Sequence, residues 1–130
     1  MPKRYLLTLL LVFTCMVATA QNSIDRMVER YSTMGGSSFV TAVKRNPKTR
    51  KVEKVVKRLT ANGLQTHQFV STFKEEAARQ KDVVTNSADG YTTMIFTVEG
   101  AKQNRIYTLR YKGNGYTGEV TITIIINMKD

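Results

Sequence analysis

Two stretches of the chain have the apolar spacing of amphipathic helices. In the first, apolar residues recur every three or four positions, at Ile24, Met27, Val28, Tyr31 and Met34, and Gly35-Gly36 follows as a stop signal. In the second, which covers residues 65–80, the apolar stripe consists of Phe69, Val70, Phe73 and Ala77. The pattern therefore predicts two helices, each with one apolar face.

The remaining segments alternate apolar and polar residues, as strands do. The pattern predicts strands at 37–45, 91–99, 105–111 and 119–128, separated by turns rich in glycine, asparagine and proline. Residues 50–60 have helical valine spacing, but their valine content and the preceding turn favour the return strand of a hairpin. The last strand has apolar residues on both faces, which indicates a central or covered position.

The predicted elements follow one another in the order α-β-β-α-β-β-β. We therefore predict an α+β fold in which two helices pack on one face of a curved antiparallel sheet of four to five strands. Its core would be formed by residues 21–130, a length that suits a single domain.

Residues 1–20 have the organisation of a secretory signal peptide. Lys3 and Arg4 precede an apolar run over residues 6–17, and Ala18-Thr19-Ala20 provides the small residues that signal peptidase recognises before Gln21. The run is shorter than the roughly twenty apolar residues that span a bilayer. We therefore predict an exported protein, periplasmic or extracellular, cleaved near Ala20–Gln21.

Cleavage would leave a basic chain without cysteine. The only cysteine, Cys15, lies in the apolar run, and it is preceded by Thr14 where lipoprotein processing requires a small residue, which favours cleavage over lipidation. Loss of the two basic leader residues lowers the formal net charge from +10 to +8. Because no disulfide could form, burial of apolar residues alone would have to hold the fold together.

A cluster of basic residues is the clearest candidate for a binding site. It lies between Lys44 and Arg58, where Glu53 is the only acid, and consists of Lys44, Arg45, Lys48, Arg50, Lys51, Lys54, Lys57 and Arg58. Its field would attract lipopolysaccharide phosphates, acidic lipid headgroups, sulfated or uronic glycans, or an acidic protein. Nucleic acid is a poorer fit because it is scarce in an envelope. A solvated surface that only aids solubility is the alternative.

The sequence contains no recognisable catalytic constellation. His67, the only histidine, lacks a second histidine or a cysteine in the mature chain to complete a metal site, and adjacent helical acids such as Glu75 and Glu76 point about 100° apart. We therefore predict no catalytic residues, no metal site and no cofactor. The tyrosines of residues 107–111 fit either packing under a helix or a shallow ligand face.

The chain resembles small secreted proteins of Bacteroidetes that are described only as a domain of unknown function. The resemblance lies in the signal peptide and in four sequence segments, at residues 24–31, 39–44, 54–57 and 103–107. The resemblance implies a Gram-negative envelope setting and brings no activity. Our leading hypothesis is thus an exported, non-enzymatic binding or envelope-accessory domain that contacts an anionic partner through the basic cluster. A small enzyme with a site assembled on the sheet, and an interaction protein that pairs through a strand edge, are the alternatives.

Overall fold

Two helices and six strands make up the fold. The computed structural model describes residues 22–33 and 37–129, so the predicted signal peptide and the predicted helix end at Met34 to Gly36 lie outside it. The elements are α1 (Ser23–Thr33), β1 (Ser38–Arg45), β2 (Val52–Ala61), α2 (Leu64–Ala77), β3 (Val84–Ala88), β4 (Tyr91–Glu99), β5 (Gln103–Lys112) and β6 (Val120–Met128). The strands form one antiparallel sheet in the order β1-β2-β6-β5-β4-β3.

The prediction of four to five strands in the order α-β-β-α-β-β-β was wrong, because the sheet has six strands and the fold is richer in β structure. The missing strand is β3, whose five residues are all exposed. An edge strand without a buried face shows no alternation of apolar and polar residues. Its turn to β4 is formed by Asp89 and Gly90, which have φ values of 55° and 80°, as a two-residue type I′ hairpin requires.

Residues 50–60, for which the sequence left a helix and a strand open, lie in the hairpin of β1 and β2. β2 pairs with β1 on one side and with β6 on the other. Strand alternation places Val55 and Leu59 on one face of the sheet and Val56 on the other. The helical spacing of these residues therefore has no structural meaning, and the preference for a strand is confirmed.

Both helices pack on the same face of the sheet, and the hydrophobic core lies between them and the strands. The described residues of both predicted helix stripes are buried, together with alternate strand residues, notably Leu59, Phe96, Tyr107, Leu109, Tyr111, Val120, Ile122, Ile124 and Ile126. Complete burial of one such side chain stabilises a fold by about 1.5–3 kcal/mol. Tyr107 and Tyr111 are only 1% and 7% exposed, which supports packing under a helix rather than a ligand face.

A buried carboxylate joins the two helices. Glu76 of α2 accepts hydrogen bonds from the N–H group of Ser23 (3.0 Å) and from its hydroxyl (2.7 Å) at the start of α1. Burial alone would raise the pKa of Glu76, but the Ser23 hydrogen bonds and the charges of Arg79 and Arg26 outweigh it, so that the pKa lies below its ordinary value of 4.5. Glu76 therefore caps α1 as an anion.

Replacing Glu76 by glutamine is expected to lower the free energy of unfolding by about 1–2 kcal/mol at neutral pH. Because the pKa is lower in the folded state, the contribution is complete above 4.5 and disappears as pH falls through the folded value. Urea unfolding of wild type and variant should therefore give different midpoints near neutral pH and similar midpoints once the pH is well below the folded pKa of Glu76. The exposed neighbour Glu75→Gln is the control, and a difference that persists unchanged in acid would contradict the assignment.

Candidate functional site

The face of the sheet opposite the helices is open to solvent in the described part of the chain. Strand alternation places there Thr121, Thr123, Ile125 and Asn127 of β6, all of which are only half-buried although β6 is central. Neighbouring strands add basic residues to this face, namely Arg58 and Arg110. One face of the sheet thus builds the core, and the other presents polar and charged groups.

The turn between β1 and β2 has a defined and exposed conformation. The side-chain oxygen of Asn46 accepts hydrogen bonds from the N–H groups of Lys48 (2.8 Å) and Thr49 (3.1 Å). The N–H group of Asn46 donates to the carbonyl of Lys51 (2.8 Å), and that of Arg50 donates to the carbonyl of Asn46 (2.9 Å). Arg50 has a φ of 65°, in the left-handed region that reverses the chain. Side chains of this turn therefore project from a fixed backbone.

Basic side chains gather around this turn. Four of them are on the hairpin itself, and the guanidinium of Arg45 donates to the carbonyl of Arg50 (3.2 Å). The end of β6 lies alongside, because Lys51 and Lys129 line the same depression of about 310 Å³, and the N–H group of Lys129 donates to the carbonyl of Lys102 (2.9 Å). We name this surface the basic tip; it consists of Arg45, Lys48, Arg50, Lys51, Lys102 and Lys129.

The structure divides the predicted basic cluster over three surfaces. Its turn residues lie in the basic tip, whereas Lys44, Lys54 and Arg58 alternate onto the open face of the sheet. Lys57 is in register with buried Ile124 and lies on the helix side. The Lys44 ammonium group is 3.9 Å from the Glu53 carboxylate, so that its charge is partly balanced. The eight residues therefore do not form one binding surface.

The linear sequence gives no indication that Lys102 and Lys129 belong to the basic tip. They join it because β6 pairs with both β2 and β5, which brings the end of β6 between the β1–β2 turn and the β4–β5 turn. Register pairs such as Lys54 with Asn127 and Asn104 with Asn127 fix this arrangement. Only strand pairing could have revealed these residues.

A charged network lies where α1 meets β5. Asp25 accepts a hydrogen bond of 2.7 Å from the guanidinium of Arg105 and one of 2.8 Å from the hydroxyl of Tyr107. It also accepts one from the N–H group of Asn22 (3.1 Å). Burial would lower the pKa of Arg105, but the Asp25 charge outweighs it and raises that pKa. Burial and the same charge raise the pKa of Tyr107. The hydrogen bonds from Arg105 and Tyr107 to Asp25 thus tie α1 to β5.

An open cleft of about 580 Å³ adjoins this network at the β4–β5 turn, with Glu99, Lys102 and Arg105 among its lining residues. Arg105 is engaged with Asp25, and Glu99 and Lys102 are exposed at the surface. The described lining residues therefore include no enclosed, convergent pair of titratable groups of the kind that acid–base chemistry uses.

His67 stacks on the ring of Tyr116, with centroids 4.8 Å apart and ring planes at 10°. Both side chains are exposed. Within residues 22–33 and 37–129, no group of three or more histidine, cysteine, aspartate or glutamate side chains could hold a metal ion. His67 thus stacks on an aromatic side chain and belongs to no such group of described residues.

These features define a β-rich domain with two helices on one sheet face and a basic tip at one end of the sheet. The chain belongs to the family described as Domain of unknown function (DUF5024), whose model matches residues 21–125. This match confirms the resemblance to a domain of unknown function. No curated protein and no solved structure matches the chain. None of the helices in the described segments is long and apolar enough to cross a membrane.

Proposed function

We propose that this protein is an exported, non-enzymatic binding domain that contacts an anionic partner through the basic tip. The observation that carries the proposal is the concentration of exposed cations on a turn whose backbone is fixed by Asn46. Because the turn is already ordered, binding would cost little additional backbone entropy. A fixed group of like charges also raises the local concentration of anions and speeds their association.

Export is supported by the arrangement of the N-terminal residues. Residues 1–20 carry the basic start, apolar run and small residues of a signal peptide. The family match begins at residue 21, directly after the proposed cleavage position, and the first buried residue that the structure describes is Ile24. The proposed cleavage would therefore keep every buried core residue that the structure describes in the mature chain.

The partner is defined here by its negative charge. In the envelope, lipopolysaccharide phosphates, acidic lipid headgroups and sulfated glycans all carry dense charge that exposed lysines and arginines can neutralise. Glu53 lines the same depression as Lys51, and its carboxylate is 3.9 Å from the ammonium group of Lys44, which lies outside the basic tip. None of the salt bridges among the described residues involves a cation of the basic tip.

Chromatography on immobilised heparin, a dense polyanion, tests the proposal. We expect Lys48→Gln/Lys51→Gln to elute at clearly lower salt than wild type, because these lysines lie in the basic tip. The matched control is Lys74→Gln/Lys112→Gln, which removes the same charge from the opposite end of the sheet, where both residues contact tyrosines. Equal shifts in both variants would mean that binding follows net charge alone, and would contradict a localised site.

A second candidate function is pairing through the edge strand β3. Its five residues are exposed and uncharged, and Val84 is 63% exposed. The opposite edge, β1, has Lys44, Arg45 and a register irregularity between them, which are devices that protect an edge from pairing. β3 has none of these devices among its own five residues and is short. A partner bound through β3 should remain bound at high salt and be lost in Val84→Lys/Asn86→Lys, whereas a complex that salt disrupts would support the basic tip instead.

A further inference from the structure

The open face of the sheet contains a polar depression that is separate from the basic tip. It has a volume of about 410 Å³ and is lined by five threonines, two arginines and one glutamate. The threonines come from four neighbouring strands, β2, β6, β5 and β4. The described lining residues include no apolar side chain, so they do not suit an apolar ligand and offer several hydroxyl groups instead.

The register between the strands determines where the threonines and arginines of this depression lie. Thr123 of β6 lies between Arg58 of β2 and Thr108 of β5, and Thr121 lies between Thr60 and Arg110. The two arginines therefore stand diagonally on either side of β6. Neighbouring strands are about 4.8 Å apart and residues along a strand about 3.4 Å, so the two arginine backbones are separated by about 12 Å across β6.

The side chains of the depression can bind both hydrogen-bond donors and hydrogen-bond acceptors of a ligand. The hydroxyl oxygens of Thr60 and Thr121 are 3.4 Å apart, and each threonine hydroxyl can both donate and accept. The Glu119 carboxylate only accepts, and the two guanidinium groups only donate. Such a mixture matches a ligand that carries hydroxyl groups as well as negative charge.

Among the described residues, no salt bridge joins either arginine of the depression to an acid. The three salt bridges among the described residues join Lys44 to Glu53, Arg79 to Glu76 and Arg105 to Asp25. Arg110 lies over the ring of Tyr91, 4.1 Å from its centroid, a contact that orients the guanidinium without neutralising it. Both positive charges are therefore available to a ligand.

We propose that this depression binds an acidic oligosaccharide, with uronic-acid carboxylates on Arg58 and Arg110 and sugar hydroxyls on Thr121, Thr123 and Glu119. Glu119 distinguishes this ligand from a bare phosphate or a lipid headgroup, because a carboxylate repels an anion but accepts a hydrogen bond from a sugar hydroxyl. The proposal does not rest on the function of the basic tip.

Protein purified after expression of the full chain can be titrated with uronic-acid oligosaccharides and followed by amide NMR. The probes are unsulfated tetrasaccharides: glucuronate alternating with N-acetylglucosamine, galacturonate, and mannuronate. We expect at least one to shift the amide signals of Thr121, Thr123 and Thr108 in a saturable manner. Its carboxyl-reduced counterpart should bind about tenfold more weakly or worse, because the charged hydrogen bonds to arginine are lost.

Variants at this site have matched controls on the same sheet face. Arg110→Gln should weaken binding about tenfold, and Thr121→Val/Thr123→Val at least fivefold. Thr97→Val and Lys54→Gln, which lie on that face outside the depression, should change the affinity less than about twofold. Intact amide spectra of each variant establish that it is folded.

Three results would overturn the proposal: no saturable binding of any of the three probes at millimolar concentration, equal binding of the carboxyl-reduced sugar, or site variants that behave like their controls. Loss of binding in Lys48→Gln/Lys51→Gln with no loss in Thr121→Val/Thr123→Val would place the sugar on the basic tip and also reject this site. Failure of heparin binding at the tip would leave this result unaffected, so the two proposals are tested separately.

Discussion

Replacing Asp25 by alanine is expected to lower the free energy of unfolding by about 3 kcal/mol, a large share of the stability of a small domain. Asp25 is only 5% exposed, and its two oxygens accept hydrogen bonds from Arg105 and Tyr107. Removing the carboxylate leaves a largely buried guanidinium and a buried hydroxyl without their partner. The Arg105 side chain is 17% exposed, so water can relieve part of the penalty, and the loss should stay near the lower end for buried pairs. Urea denaturation followed by circular dichroism measures it.

A double-variant cycle separates the ion pair from simple packing. Arg105→Met alone should also destabilise the fold, because it leaves the buried Asp25 carboxylate without the positive charge that pairs with it. The loss in free energy of unfolding for Asp25→Ala/Arg105→Met should be smaller than the sum of the losses for the two single variants. The reason is that the second change removes the charge that the first one left without a partner. Strict additivity, or a loss below about 1 kcal/mol for Asp25→Ala, would show that the network does not hold α1 to β5.

Reversing three charges of the basic tip, in Lys48→Glu/Arg50→Glu/Lys51→Glu, is expected to weaken binding to anionic lipid vesicles by at least about 100-fold, since each basic residue near such a surface contributes about 1 kcal/mol. All three side chains are exposed, and Asn46, which fixes the turn, is unchanged. The melting temperature should therefore stay close to that of wild type. Vesicle co-sedimentation gives the affinity.

The control for this prediction reverses three other lysines, Lys74, Lys81 and Lys112, which lie outside the hairpin of β1 and β2. The control changes the net charge equally, so it should reduce binding far less if the tip is the contact surface. Vesicle binding that falls equally in both variants would assign the interaction to overall charge. Heparin binding without vesicle binding would identify a glycan rather than a lipid as the anionic partner.

The sequence predicts most elements of the fold because most of them bury one face. Alternate residues of β6 and the stripe residues Ile24, Met27, Val28 and Tyr31 of α1 are buried in the structure as their spacing indicates. β3 was not predicted because none of its residues is buried. The only sequence signal for this strand was the Asp89-Gly90 pair. That pair is typical of a tight hairpin and implies a strand on both sides. Local turn chemistry therefore contained information that hydrophobic periodicity lacked.

The candidate sites were less predictable because they depend on register between distant strands. The basic residues of the turn are close in sequence and could be found there, whereas Lys129 reaches the tip only through the pairing of β6. Likewise, Thr121 and Thr123 could be assigned to one strand face from alternation. Their position between Arg58 and Arg110 required the order β2-β6-β5. A linear pattern does not specify which strands are neighbours.

The dependence of affinity on salt tests most directly whether the basic tip binds an anionic partner. For wild type, the logarithm of the association constant for a heparin hexasaccharide should fall linearly with the logarithm of salt concentration, because binding releases counterions from the polyanion. Lys48→Gln/Arg50→Gln/Lys51→Gln should give weaker binding and a clearly shallower slope. An affinity that ignores salt, or a slope that is the same in wild type and in this variant, would contradict an anion-binding function of the basic tip.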